Sequence, residues 1–250
     1  MAKFNYMNKK INYEINGTGS PLIILHGNTA SSKMFYSAIS AFKEKYQVIT
    51  MDFLGCGQSD RISEWPSDLW YDWGEQAAAL CNHLGLKSVN VIGCSGGTLA
   101  AINMALEHPA LVKSIIADSF EGLKADKSLT EQIKIGRNYA KQIDGFKLML
   151  MTMHGDDWEE VLDADTDAVI RHAQNIGEFF HKSISELQSK IFLTGSAEDE
   201  MFSKGHYDRL FTIISELVPS AKTKIFEHGR HPAMISNLEE FTELAKSFIK

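Results

Sequence analysis

Val89-Asn90-Val91-Ile92-Gly93-Cys94-Ser95-Gly96-Gly97-Thr98 is the stretch from which the rest of this chain is read. An apolar, β-branched run passes through G-x-S-x-G and straight into the helix-forming segment Leu99 to Glu107. A strand that reverses sharply into a helix lifts its turn residue above the sheet edge and exposes that side chain. Such a turn forces Ser95 into a strained backbone conformation and brings neighbouring chain very close. Gly93 and Gly97, without Cβ atoms, permit the approach. The helix start behind Ser95 also directs free backbone N–H groups and a positive dipole end at any developing negative charge. A Gly/Ser turn without chemistry needs neither flank, so Ser95 is read as a nucleophile.

A serine hydroxyl is a poor nucleophile until a base takes its proton. The chain order expected after this elbow is Ser, then Asp or Glu, then His. Near the C-terminus, Thr223 to Glu227 reads as a short strand, and His228-Gly229-Arg230-His231-Pro232 as the loop after it. His231 lies past Gly229, where a loop can swing an imidazole over the sheet edge. His228 is still at the strand end, where local packing or hydrogen bonding is its expected role. Seven other histidines (His26, His83, His108, His154, His172, His181 and His206) show no shared close spacing. None pairs with cysteine at metal-ligand intervals, so no metal is expected.

The acid has more than one candidate. Lys190 to Gly195 reads as a buried strand ending in glycine, followed by Ser196-Ala197-Glu198-Asp199-Glu200. A loop carboxylate there can accept the Nδ1 proton of the histidine, fix its tautomer and stabilise the imidazolium. Three consecutive acids imply one facing inward and two solvated. Ser114 to Asp118 also ends a strand in an acid, with Glu121 just beyond. Asp199 is the choice, with Glu198 and then Asp118 as alternatives.

Pro21 to Asn28 forms another apolar strand ending in a glycine turn. The backbone N–H of Asn28, with that of Gly96, is placed to bind a tetrahedral oxyanion. His26 in this turn is expected to hold the loop by hydrogen bonds rather than act as a base.

Taken together, Leu25-His26-Gly27, Asp52-Phe53-Leu54-Gly55-Cys56-Gly57-Gln58-Ser59, Gly93-Cys94-Ser95-Gly96-Gly97 and Gly229-Arg230-His231-Pro232 occur in one order that resembles the α/β-hydrolase fold superfamily. The resemblance spans about Pro21 to Phe248 and is weakest between residues 120 and 187. Within the superfamily the chain looks most like small serine hydrolases of the carboxylesterase and biphenyl-hydrolase-like type. It implies hydrolysis of a small carboxylic ester or related acyl compound without metal or organic cofactor. Thioester, lactone and carbon–carbon bond hydrolysis are compatible with the same residues. In that family the acid usually lies three residues after the strand-end glycine, which here is Glu198, so Asp199 requires one extra loop residue. Some superfamily members are slow small-molecule receptors, and that is the second reading.

The composition agrees. At 250 residues, 44% hydrophobic and 23% charged, the chain can bury one α/β core plus an insertion. A net charge of −7 argues against a nucleic-acid surface or an anionic-membrane partner. No apolar run approaches the ~18 residues of a membrane span, and the first residues carry no signal core. Cys56, Cys81 and Cys94 give no paired framework, which suggests the cytosol. Alternation along the strand end points Cys94 away from Ser95. Nothing in the sequence speaks to oligomeric state, and the expected partner is a small-molecule substrate.

Two opening strands near Phe4 to Met7 and Ile11 to Ile15 precede strands at 22–26, 47–51, 89–94, 112–117, 190–194 and 223–227. Helices at 33–45, 67–84, 97–107, 204–218 and 238–249 separate most of them. This alternation implies a mainly parallel sheet covered on both faces, with ligands at the carboxyl ends of the strands. The Gly-rich turn Asp52 to Ser59 lacks the lysine of a phosphate loop and is read as structural. Of the nearby Trp65, Trp70, Tyr71 and Trp73, one is expected to border the pocket. Residues 121–186 break the alternation, with helical stretches at 129–143, 145–153, 158–162 and 168–180. They read as a helical cap inserted into a core of residues 1–120 and 187–250. Met151 and Trp158 are its expected contributors to an apolar substrate pocket.

Overall fold

The computed structural model describes residues 2–249, apart from the side chains of residues 128 and 129. Runs of β-branched and aliphatic residues form the central strands of an eight-stranded sheet. Its strands are β1 (Ala2–Tyr6), β2 (Lys9–Asn16), β3 (Ser20–Leu25), β4 (Tyr46–Met51), β5 (Val89–Cys94), β6 (Val112–Asp118), β7 (Lys190–Ser196) and β8 (Lys222–Phe226). They lie in the order β1-β2-β4-β3-β5-β6-β7-β8. The first two pair antiparallel and β2 meets β4 antiparallel, whereas every pairing from β4 to β8 is parallel. All six residues of β5 are buried, as a central strand covered on both faces must be. Chain order reverses at β3 and β5, and ligands bind beyond the strand ends at such a switch point.

Helices α1 (Tyr36–Phe42), α2 (Leu69–His83) and α3 (Gly96–Glu107) belong to the first half. The expected helix at 33–45 is shorter, because Ser32–Phe35 forms a separate 3-10 turn before it. One face of the sheet carries the larger apolar cluster, in which Trp73, Leu80 and Ala77 of α2 meet Leu99, Ile102 and Met104 of α3. On the other face Phe35, Ala38 and Phe42 pack with Leu22, Ile92, Cys94 and Phe241.

Residues 121–186 contribute α4 (Lys127–Ala140), α5 (Asp144–His154) and α6 (Trp158–Asn175), and among the described residues no sheet strand. Two stretches expected as separate, 158–162 and 168–180, are largely one helix. Nothing in Asp163 to Asp167 breaks it, and Asp165 and Thr166 are buried within its inner stripe. It ends at Ile176, before Gly177 at φ 79°. The C-terminal third supplies α7 (His206–Leu217), α8 (Ala233–Ser236) and α9 (Leu238–Phe248). No helix among the described residues is long and apolar enough to cross a membrane.

Candidate active site

The turn between β5 and α3 places Ser95 at φ 55°, ψ −124°, a conformation that L-residues rarely adopt. The neighbours enforce it. Ser95 N–H donates to the Asp118 carbonyl at 2.8 Å, and Thr98 N–H donates back to the Ser95 carbonyl at 2.8 Å. The Thr98 hydroxyl is shared between the carbonyls of Gly93 at 2.7 Å and Asp118 at 2.9 Å. A Cβ at Gly93 would stand 2.5 Å from the Gly97 carbonyl oxygen, and one at Gly97 would overlap the Leu25 carbonyl. The two glycines are therefore required by the close crossing of strand, turn and helix.

His231 reaches the site from the loop between β8 and α8. Its Nδ1 lies 2.9 Å from Oδ2 of Asp199, in the turn after β7. Asp199 is buried, and Glu198 and Glu200 on either side are exposed. Its Oδ2 also accepts from the Tyr207 hydroxyl at 2.6 Å, and its Oδ1 from the Met201 N–H at 2.9 Å. Burial disfavours the Asp199 charge, but the hydrogen bond and attraction of His231, with the bonds from Tyr207 and Met201, outweigh it. The carboxyl is held below the ordinary aspartate value. Glu198 instead faces His228 Nδ1 and the Gly229 N–H, each at 3.4 Å, and His228 is largely solvated.

Asp118, the other strand-end acid, makes no hydrogen bond to His231. Its Oδ1 accepts from the Thr194 hydroxyl at 2.7 Å and its Oδ2 from the Met234 N–H at 3.0 Å. Burial pushes its carboxyl up to about 6, only partly offset by those two bonds and by the nearby His231.

The turn after β3 carries Asn28 against Gly96, whose Cβ position would overlap the Asn28 side-chain oxygen. That oxygen accepts from Trp70 Nε1 at 3.0 Å, and Asn28 Nδ2 donates to Asp165 Oδ2 at 3.0 Å. His26 holds the loop. Its Nε2 accepts from the Phe53 N–H at 3.2 Å, so Nδ1 carries the proton and donates to the Gly27 carbonyl at 2.8 Å. Full burial lowers its pKa, in keeping with a neutral ring. The Asp52 to Ser59 turn is likewise structural: Asp52 accepts from Ser32 N–H, Asn12 Nδ2 and Gln58 N–H at 2.7, 3.0 and 2.8 Å.

Ser95, His231 and Asn28 line one cleft of about 390 Å³, continuous with a narrower recess that adds Gly96, Trp70, Leu99 and Phe202. Residues 121–186 supply Ile133, Gly136, Arg137 and Ala140 from α4 and Phe146 from α5. Neither Met151 nor Trp158, the residues expected to contribute to the pocket, is among the residues that line it. Met151 is 38% exposed on the outer face of α5. Trp158 is buried with Leu150 and Leu162 in the insertion's own small core, with Phe146 packed against it. Glu121 lines the recess, its carboxyl pushed up to about 7 by burial.

Three residues went unnoticed in the sequence. Tyr207, Arg137 and Asp165 lack a motif, but Asp165 had a signal. It sits in the apolar stripe of α6, one turn from both Val161 and Leu162 and from Ala168 and Val169, where a solvated acid has no place.

A model of the α/β-hydrolase fold matches residues 20–149. A proline iminopeptidase of Clostridium botulinum is 26% identical over 94% of this chain and 92% of its own length. A 2-hydroxymuconate semialdehyde hydrolase of Pseudomonas putida is 21% identical over 96% of this chain and 90% of its own. Among solved structures, a carboxylesterase of Nitrososphaera gargenis superposes with TM-score 0.78 at 16% identity, covering 99% of this chain and 97% of that one. At that identity the likeness speaks for the fold alone.

Proposed function

Because this chain belongs to the α/β-hydrolase fold family, we propose that it is a serine hydrolase cleaving a small carboxylic ester or related acyl compound. The observation that carries the reading is the convergence of Ser95 and His231 on one cleft, with His231 Nδ1 on the buried Asp199. Asp199 fixes the tautomer that leaves Nε2 free to take the Ser95 proton. Ser95 Oγ attacks the carbonyl carbon, and the carbonyl oxygen becomes an oxyanion received by the Asn28 and Gly96 N–H groups. Collapse expels the alcohol, which takes the proton back from His231. Water, deprotonated by the same imidazole, then hydrolyses the acyl-enzyme and regenerates Ser95. The three free, buried cysteines suit a reducing, cytosolic setting.

A second reading, removal of an N-terminal residue from a peptide, is favoured by the proline iminopeptidase relatives and by Glu121 and Glu200. Both carboxylates line the space around Ser95, where an ammonium group would meet them. A panel of p-nitrophenyl esters of increasing chain length, beside proline 4-nitroanilide, a thioester and a lactone, separates the two. Ser95→Ala is expected to lower turnover on the order of 10⁶-fold while remaining folded. A serine-directed phosphonate should label the wild type once, at Ser95. Cys94, fully buried with its thiol pushed well above the ordinary range by burial, should stay unmodified. Substantial turnover by Ser95→Ala sinks the mechanism.

A further inference from the structure

We propose that Asp165, braced by Arg137, is a positioning residue for the Asn28–Thr29 turn, so that the helical insertion itself completes the oxyanion site. The inference rests on the reading of Ser95 as the nucleophile and deepens it.

The decisive residue is Thr29. It sits at φ 58°, where a β-branched residue is a genuine outlier, one residue past the proposed oxyanion donor. Such a conformation persists only where the surroundings over-determine it. Here both backbone polar groups of Thr29 are held by the insertion. Its N–H donates to Asp165 Oδ2 at 3.1 Å. Its carbonyl faces His154 Nε2 at 3.1 Å. His154 Nδ1 accepts from the Gly57 N–H at 3.0 Å, so the proton is on Nε2 and is donated to Thr29. The Asp165 oxygen that holds the Thr29 N–H also takes the Asn28 side-chain N–H. One carboxylate on α6 therefore sets the backbone at Thr29 and the side chain at Asn28 together.

Asp165 is 0% exposed. An unpaired carboxylate buried there would oppose the negative charge that forms on the substrate oxygen a few atoms away. Arg137 of α4 removes that conflict. Its Nη1 donates to Asp165 Oδ1 at 2.7 Å and to the Thr166 hydroxyl at 2.9 Å. The pair is neutral in sum, so the clamp holds the turn without charging the site. A carboxylate serving only to attach the insertion would bond anywhere along the core surface; this one bonds to the two residues that form the oxyanion turn.

The test is run on the full chain with p-nitrophenyl acetate turnover, the rate of phosphonate labelling at Ser95, and inhibition by a trifluoromethyl ketone, whose hemiketal oxygen mimics the oxyanion. Removing an oxyanion donor outright costs about 10²–10³ in kcat, and mispositioning one costs part of that. Asp165→Asn keeps the volume but places an N–H₂ against Thr29 N–H and Asn28 Nδ2, or against Arg137. It is expected to lower kcat roughly 10- to 100-fold with KM changed by less than about threefold. Ketone affinity and labelling rate should fall with it. Adding Thr29→Gly, which holds a positive φ without a clamp, should restore at least about tenfold of the loss. Arg137→Gln, partly exposed and easier to fold around, should shift the same readouts in the same direction.

A kcat within about threefold of wild type, a loss confined to KM, or no recovery with Thr29→Gly overturns the proposal. Labelling at equal rates in wild type and Asp165→Asn overturns it alone. A wild type that is not labelled at Ser95 overturns the nucleophile reading first, and this one with it.

Discussion

Replacing Asp199 with asparagine keeps the shape of the carboxyl and removes its symmetry, and the three donors around it set the cost. Oδ2 accepts from His231 Nδ1 and the Tyr207 hydroxyl, and Oδ1 from the Met201 N–H. If the amide nitrogen takes the Oδ2 position, it donates to Nδ1, moves the imidazole proton to Nε2 and leaves nothing to accept the Ser95 proton. If it takes the Oδ1 position, it meets the Met201 N–H head-on. Leaving that part-buried donor unsatisfied costs about 1–3 kcal/mol. Even then a neutral acceptor replaces a carboxylate opposite the imidazolium, at a further ~1–2 kcal/mol. The sum, about 2–5 kcal/mol on the barrier, is roughly a 30- to 5,000-fold loss in kcat. Steady-state hydrolysis of p-nitrophenyl acetate measures it, with circular dichroism to check folding. Glu198→Gln, a solvated charge, should change kcat less than about tenfold. An Asp199→Asn enzyme within tenfold of wild type, or a crippled Glu198→Gln, would refute the assignment.

Pocket shape should follow the residues that line the cleft. Ile133→Ala or Phe146→Ala is expected to move ester preference toward longer acyl chains by roughly 10- to 200-fold. Met151→Ala should leave the chain-length profile unchanged, and a shifted profile would contradict its placement on the outer face. Trp158→Ala should lower stability by ~3–5 kcal/mol in urea titration, because it empties the insertion's own core. Stability should also respond to acid through Asp199. Its folded pKa lies below the unfolded value of about 3.9. Its contribution is therefore present above pH ~4 and lost as pH falls through the folded pKa. The gap in unfolding midpoint between wild type and Asp199→Asn should narrow from pH 7 toward pH 3, and a gap that widens contradicts the lowered pKa.

The central strands β3 to β7 were legible in the sequence because each carries a short aliphatic run closed by glycine or a turn residue, a purely local signal. The elbow at Ser95 and the histidine loop were legible for the same reason: chain spacing alone delivers them to one sheet edge. The helices of residues 121–186 were legible too, but which of their faces line the cleft was not. Which stripe of an amphipathic helix faces the cleft depends on how three helices pack against a distant turn, and α5 shows the ambiguity. Met149 and Met151 are as apolar as Phe146 and Leu150, yet Leu150 and His154 are buried one turn apart and the two methionines face outward. Apolar content could nominate Met151 and Trp158 but could not orient them. A charged residue in a buried stripe is the better guide, since burial without a partner is forbidden and the partner must lie across the interface. Asp165 meets that description, and its partners are the Asn28–Thr29 turn and Arg137.

The two strand-end acids divide the work along the same line. Asp118 closes β6 and Asp199 lies in the turn after β7, and both are buried. Asp118 spends its oxygens on Thr194 and on the Met234 N–H at the start of α8, and Ser119 beside it accepts from the Ala233 N–H at 2.8 Å. It fixes the backbone just after His231. Asp199, with one oxygen turned to Nδ1, fixes the ring. Their pKa shifts are opposite because their donors differ. The Asp118 carboxyl meets a hydroxyl and one amide against complete burial and rises to about 6. The Asp199 carboxyl meets an imidazole, a phenol and an amide and falls. Geometry separates the two acids: His231 Nδ1 lies 2.9 Å from Asp199 Oδ2, whereas the Asp118 oxygens face Thr194 and the Met234 N–H.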